Sequence, residues 1–190
     1  MDPATVPVHL TADELTAGLG DVLRAPTDEG TVALVVRRPA VDEREVLAEG
    51  LLDEPSGLVG DNWNQRYNKH HPEGLPDPDR QLNVINARLS ALVAVDPDRR
   101  ALAGDQLHLD FDLSEANVPV GTRLALGGAV IEVTPIPHTG CAKFVERFGK
   151  DAMRFVNSPE GRALRLRGLN ARVVVAGTVR PGDPVRKLPD

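Results

Sequence analysis

The stretch Thr122-Arg-Leu-Ala-Leu-Gly-Gly-Ala-Val-Ile-Glu-Val-Thr134 decides the fold class. Two short runs, Thr122–Leu126 and Ala129–Thr134, flank Gly127-Gly128. A two-residue Gly-Gly link between strand-forming runs is a strong hairpin signal, because tight hairpin turns place a residue at positive φ. Beyond the hairpin, Pro135 and Pro137 force a stiff, extended approach to His138-Thr-Gly-Cys141. Farther on, Ala171–Val179 (ARVVVAGTV) is the most strand-like run of the chain, and its continuous apolar character predicts a central strand covered on both faces. Upstream, Thr31–Arg37 is a β-branched run ended by Pro39. Gln106–Leu113 alternates, with Leu107, Leu109, Phe111 and Leu113 on one side. Gln81–Asn86 reads as a short strand, Glu43–Leu52 as a strand of imperfect alternation, and a last short strand follows the Pro181-Gly182-Asp183 turn.

The helical signals are peripheral. Thr11-Ala-Asp-Glu14 fits a capping box, followed by Leu15, Leu19, Val22 and Leu23 at helical spacing and by Pro26 beyond the end. Ala87–Val95 carries Leu89, Leu92 and Val93 on one face. From Cys141 the pattern is helical again, with Phe144, Phe148, Ala152 and Val156 on one broad face and Gly149 interrupting it. Ser158-Pro159 reads as an N-cap and a first-turn proline, opening a short helix to about Leu166. Pro55–Trp63 is turn-rich, and residues 69–80 form an exposed loop. Strands without regular strand–helix alternation predict a mainly β protein with peripheral helices (α+β), its sheet closed or strongly curved rather than doubly wound. The expected division is an N-terminal helical extension over 1–27 and a β domain over 28–188.

A chain of 190 residues is long enough for one domain with a real core. Aromatics make up only 3%, which argues against a base-stacking single-strand binder. The net charge of −6 argues against general nucleic-acid or anionic-membrane binding. One cysteine, Cys141, excludes an intramolecular disulfide framework and a Cys-rich zinc site. No apolar run approaches membrane-spanning length, and the acidic start MDPATVPVHL lacks the features of a signal peptide, so a soluble cytoplasmic protein is expected. Charge is unevenly spread. Residues 1–140 hold 11 basic against 23 acidic side chains, residues 141–190 hold 11 against 5. The basic last quarter either surrounds an anion or neutralises the rest of the fold.

No phosphate loop, dinucleotide fingerprint, zinc-protease motif or serine elbow is present. His70-His71 reads as a solvated pair in a Pro-rich loop rather than a metal site, and His9 and His108 carry no functional weight. Cys141 stands apart. Placement in the first turn of a helix, with Lys143 and His138 close in sequence, favours a thiolate able to attack sulfur or bind a soft metal. The alternative is a buried structural cysteine.

Several motifs occur in a particular order: Gly57-Leu-Val-Gly60-Asp61, Val120-Gly-Thr-Arg-Leu-Ala-Leu-Gly127, Ile131-Glu-Val-Thr134, Gly140-Cys141-Ala-Lys143, Arg167-Gly168 and Gly177-Thr-Val-Arg-Pro-Gly-Asp183. This series, over roughly residues 28–188, resembles the MOSC domain, the module named for the C-terminal part of molybdenum cofactor sulfurases. Stand-alone bacterial members similar to hydroxylaminopurine-resistance proteins are nearest in length. The sequence departs from the family pattern at Asn62-Trp63 and at Ser114-Glu-Ala-Asn117. The resemblance implies a curved, closed β-barrel similar to the pyruvate-kinase barrel domain, with Cys141 at the position of the functional cysteine. It implies molybdenum cofactor (molybdopterin), with Cys141 as metal ligand and with Cys141 and Lys143 as the catalytic pair. Lys143 either favours the thiolate or lies along the helix surface. Molybdopterin ends in a phosphate, which gives Arg162, Arg165, Arg167 and Arg172 a candidate task, with surface ion pairing as the alternative. His138, Asn117 and Asp61 complete the candidate pocket, Asp61 orienting it or capping a turn, Asn117 bonding a ligand or its own turn.

Three functions follow from the resemblance. The first is reduction of N-hydroxylated compounds, with electrons from a separate reductase, since no flavin or iron–sulfur motif is visible. The second is sulfur carriage as a Cys141 persulfide supplied by a pyridoxal-phosphate-dependent cysteine desulfurase. The third is a non-catalytic binding module.

Overall fold

In chain order the computed structural model, which describes residues 7–66 and 73–189, runs α1 (Ala12–Val22), β1 (Glu29–Arg37), β2 (Glu45–Leu47), β3 (Gly50–Asp53), β4 (Gly57–Leu58), β5 (Leu82–Asn86), α2 (Ala87–Ala94), β6 (Leu107–Asp110), β7 (Arg123–Leu126), β8 (Ala129–Val133), α3 (Ala142–Asn157), α4 (Pro159–Ala163), β9 (Leu169–Val175), β10 (Gly177–Val179) and β11 (Pro184–Lys187). Seven strands close into a barrel in the order β11-β7-β8-β9-β5-β6-β1, with β1 returning to β11 through Gly30↔Val185. All pairings around it are antiparallel except β5–β6, which is parallel and joined through α2. That one parallel pair makes the barrel mixed. β2 extends the sheet beyond β1, and β10, β3 and β4 form a separate three-stranded sheet. The expected closed barrel with peripheral helices is the observed architecture.

The hairpin at Gly127-Gly128 joins β7 to β8 with Leu126 opposite Ala129. Gly127 takes φ +53, the positive value that the turn requires. Inward-facing residues from every barrel strand fill the interior, among them Val32, Val84, Leu109, Leu124, Ile131, Val173 and Val185. Each such aliphatic side chain contributes ~1.5–3 kcal/mol by leaving water. A second apolar cluster lies among the helices. Leu15 and Val22 of α1 meet Leu89 and Val93 of α2 and Phe144, Phe148, Ala152 and Val156 of α3, with Ile85 of β5 below them. The capping box of α1 is formed: the Thr11 amide donates to Glu14 Oε2 at 2.8 Å, and the Glu14 amide donates back to Thr11 Oγ1.

Two expected strands divide. Residues 43–52 break at Ala48-Glu49, so that β2 joins the barrel sheet and β3 the small sheet. The 171–179 run breaks before Gly177, where β10 leaves the barrel to pair with β3. β9 is central, bonded to β8 and β5, but it is not covered on both faces. Ala171 and Val173 point into the core, whereas Arg172 and Val175 are exposed. Its valines reflect the β-propensity of an outer face rather than double burial. The helix after Cys141 kinks at Gly149, φ +91, where His9 presses against the backbone. His70-His71 lie outside the described residues.

Candidate functional site

Cys141 sits one residue before α3, as its N-cap, in extended conformation and without a side-chain capping bond. It is a free, exposed thiol. The reading of a buried structural cysteine is therefore corrected: the stiff Pro135–Gly140 approach carries the chain along the surface, and α3 buries Phe144 instead. Asn157, at the far end of α3, fixes the turn before the cysteine by accepting from the Gly140 amide at 3.0 Å.

The thiol stands at the rim of a cleft of about 360 Å³. Six cationic side chains line it: Arg38, Arg44, Arg66, Lys143, Arg147 and Arg167. Among the described residues of the lining only Asp42 is acidic, and it is exposed, accepting from Lys143 Nζ at 2.6 Å and Arg147 Nη2 at 3.0 Å. The Lys143 hydrogen bond holds the Asp42 carboxyl below its ordinary range. Burial, then the charge of Arg38, pushes Arg66 down to about 10. Burial and the charges of Arg147 and Arg38 likewise lower Arg44. Like charges held this close are stabilised by an anion among them.

Two buried carboxylates hold the cleft's arginines from behind. Asp61 accepts from Arg38 Nε and Nη2, both at 2.8 Å, and from the amides of Arg38 and Trp63. Both side chains are almost fully buried, so this is a bidentate ion pair in the interior. Arg38 Nη1 then donates to Asn83 Oδ1, Asn83 Nδ2 to Asn170 Oδ1, and Asn170 Nδ2 to the Ile136 carbonyl, tying the Pro135–Thr139 strap to the barrel strands. Asp105, fully buried, receives Arg167 Nη1 at 2.8 and 2.9 Å. Burial raises the Asp105 carboxyl, and Arg167 opposes that rise.

His138 is the junction of three cavities: the cysteine cleft, a slot of about 250 Å³, and a further cavity on the other side of the strap. The slot is bounded by Trp63 and Pro76, by the amide side chains of Asn83 and Asn170, and by Arg38, Arg66 and Arg80. Burial, and then Arg167 and Arg38, drive the His138 pKa well below 6.5, so the imidazole is neutral. Its Nδ1 lies 3.4 Å from Asp105 Oδ1 without the alignment of a hydrogen bond. His138 Nδ1, Arg44 Nε and Arg167 Nε are buried with no hydrogen-bond partner among the described residues. Buried polar atoms left open around a cleft mark where a ligand is expected to supply acceptors and donors.

The structure thus brings together Cys141, Lys143, His138 and Arg167, with Asp61 behind them. It places the other expected residues elsewhere. Arg172 is on the outer barrel surface, 2.6 Å from Glu132 and 3.4 Å from Asp79. Asn117 bonds the Thr27 and Asp112 carbonyls and Lys187, closing its own turn. Arg162 and Arg165 line the third cavity. Sequence reasoning missed Arg38, Arg44 and Arg66, because the anion-facing arginines were sought in the basic last quarter, and within that quarter it passed over Arg147. The available signal was Arg37-Arg38 continuing the apolar strand up to Pro39. A charge that continues a buried strand needs a buried partner.

Fold and site together define a closed mixed barrel whose only cysteine stands over a cationic cleft. The MOSC domain family model matches residues 78–186, more than half of the chain, and the chain belongs to that family. Solved structures agree in fold. The crystal structure of a hypothetical protein matches with TM-score 0.57 at 23% identity, over 85% of this chain and 68% of that one. YuaD from Bacillus subtilis matches with TM-score 0.55 at 15% identity, over 83% and 94%. YiiM from Escherichia coli matches with TM-score 0.54 at 21% identity, over 84% and 70%. A comparison with curated proteins finds no match.

Proposed function

We propose that this chain binds molybdenum cofactor through Cys141 and reduces N-hydroxylated compounds with electrons from a separate reductase. The observation that carries the reading is an exposed thiol at the rim of a cleft lined by six cations, two of which, Arg44 and Arg167, keep a buried Nε unpaired. The donor set fits the group. Arg38, Arg44, Arg66, Arg147 and Arg167 supply positive charge toward a terminal phosphate, Arg38 and Arg167 by charge alone because Asp61 and Asp105 already hold their forks. The slot edged by Trp63, Asn83 and Asn170 offers an aromatic wall and amide hydrogen bonds to a flat heterocycle. Among the described residues no three His, Cys, Asp or Glu side chains gather around an ion. A metal at Cys141 would therefore bring most of its ligands with it, as the pterin-bound metal does. When bound, the group supplies two-electron redox chemistry at a metal, for which a thiolate is a suitable soft ligand. The chain's own part is to anchor the sulfur at the end of a braced turn and hold the phosphate end by charge. It also places a neutral imidazole, His138, at the boundary between cleft and slot.

Cys141→Ser tests the chemistry. Serine nearly preserves size at an exposed site, so the melting temperature should stay within about 2 °C, consistent with a surface change of ~0.5 kcal/mol. Reduction of an N-hydroxylated base, with a supplied electron donor, should be lost. Retained activity removes Cys141 from the mechanism.

The thiol's exposure also supports the second reading, a sulfur carrier. Its signature is a mass increase of one sulfur at Cys141 after incubation with a cysteine desulfurase, in protein that carries no molybdenum.

A further inference from the structure

Behind the Pro135–Thr139 strap, on the side away from the thiol, lies a separate cavity of about 270 Å³ that the cofactor reading leaves unused. Val120, Pro135, Ile136, Val156 and Leu169 give it apolar walls. Its charged lining is Arg162, Arg165 and Arg167 against a single acid, Glu115, and burial keeps His138 neutral there. We infer that this cavity binds a small monocarboxylate with an apolar body, its carboxylate on Arg165 and its body against the strap.

Three independent observations support the assignment. The first is charge: with Arg167 already neutralised by Asp105, Arg162 and Arg165 against Glu115 still leave the lining net cationic, so an incoming anion is attracted. The second is construction. Arg165 has φ +47, in the left-handed region that bulky residues seldom adopt. It is held there by its own amide on the Arg162 carbonyl at 2.9 Å, by the Gly168 amide on its carbonyl at 2.7 Å, and by Nη1 on the Val118 carbonyl at 2.6 Å. One arm of the fork is thereby fixed while the guanidinium lines the cavity. Such a backbone outlier beside a cavity is a feature of built sites. The Glu115 amide, bonded to the Ala163 carbonyl at 3.0 Å, locks the opposite rim to the same segment. The third is an unpaired buried donor. Arg167 is 6% exposed, lines the cavity, and its Nε has no hydrogen-bond partner among the described residues.

The volume suits a fragment-sized molecule rather than an extended cofactor. His138 and Arg167 are shared with the cysteine cleft, so a carboxylate here sits next to the thiol site. The inference does not depend on which reading of Cys141 holds.

Benzoate is the probe, with benzamide as its uncharged counterpart, titrated calorimetrically into the full chain. The expected result is saturable one-to-one binding of benzoate and none of benzamide. Arg165→Gln should weaken benzoate by about tenfold or more, the loss of one charge-assisted hydrogen bond. Should that variant melt early, Val120→Trp replaces it: Val120 is 54% exposed, so a larger side chain there blocks the cavity without entering the core. It should abolish binding with melting unchanged. Cys141→Ser should bind benzoate as the wild type does. Absence of benzoate binding, equal binding of benzamide, or affinity untouched by both Arg165→Gln and Val120→Trp overturns the inference. So does loss of binding in Cys141→Ser, which would seat the anion in the cysteine cleft.

Discussion

Asp61→Asn should lower the stability of the folded chain by about 3–5 kcal/mol, the cost of leaving a buried charge without its partner. Asp61 receives two Arg38 donors at 2.8 Å and two backbone amides, and both side chains are nearly sealed from water. An asparagine offers one acceptor oxygen where the carboxylate offers two, and no charge. Arg38 would keep at most one hydrogen bond to residue 61, beside Asn83 Oδ1 and the Gly104 carbonyl, and lose its counter-charge. At ~2–4 °C per kcal/mol for a chain of this size, the melting temperature should fall by roughly 6–20 °C. The double variant Arg38→Met/Asp61→Leu distinguishes the cause. Removing both charges takes away the desolvation penalty, so it should recover much of the loss. A double variant no more stable than Asp61→Asn would mean that the damage lies in the Trp63 turn, and Asp61 would not be a brace for Arg38.

The second large effect is on pH dependence. His108 faces outward from β6 beneath α2, fully buried, with Nδ1 2.9 Å from Ser90 Oγ. The Ser90 hydroxyl also lies 3.0 Å from the Ala87 carbonyl, and Nε2 has no side-chain hydrogen bond among the described residues. Burial first, and then the charges of Arg167 and Arg100, push the His108 pKa down to about 3. The unfolded chain takes up a proton near pH 6.5, while the folded chain takes it up only near 3. Between these values the unfolded state binds more protons, so stability falls as pH falls, by ~1.4 kcal/mol per pH unit. From pH 6.5 to 5 the loss from His108 is about 2 kcal/mol. His138 acts in the same direction. In His108→Asn the amide can still donate to Ser90 but cannot titrate. Urea unfolding of both proteins at pH 7, 6 and 5 should show the wild type losing about 2 kcal/mol relative to the variant. Parallel curves would mean that His108 is protonated, or reached by water, in the folded state.

The barrel was legible because its signals are local. The Gly127-Gly128 turn, the alternation from Leu107 to Leu113 and the capping box of Thr11 each specify their own element. Where strands change sheets the sequence carries a weaker mark. Nothing about Val175-Ala176-Gly177 says that β9 ends and β10 joins another sheet, because that switch is set by closure of the barrel. The site was half legible. Cys141 and His138 stand together in one stiff segment, so short-range spacing found them, while Arg167 came from the charge of the last quarter and the family resemblance. Arg38, Arg44 and Arg66 reach the cleft from the N-terminal half, where abundant acids hide them in any regional charge count. Arg172 misled for the converse reason: a basic region in sequence is spread around a barrel, and the outward-facing positions of β9 end in surface ion pairs.

The central claim is that Cys141 holds a pterin-bound metal in the cationic cleft. Its most direct test is the molybdenum and pterin content of gently purified wild-type protein from a cofactor-competent host, set beside Cys141→Ser from the same host. The account predicts molybdenum and pterin together in the wild type, and loss of the metal in a variant that melts at the same temperature. Wild-type protein free of both, or a serine variant that retains as much molybdenum as the wild type, would contradict it.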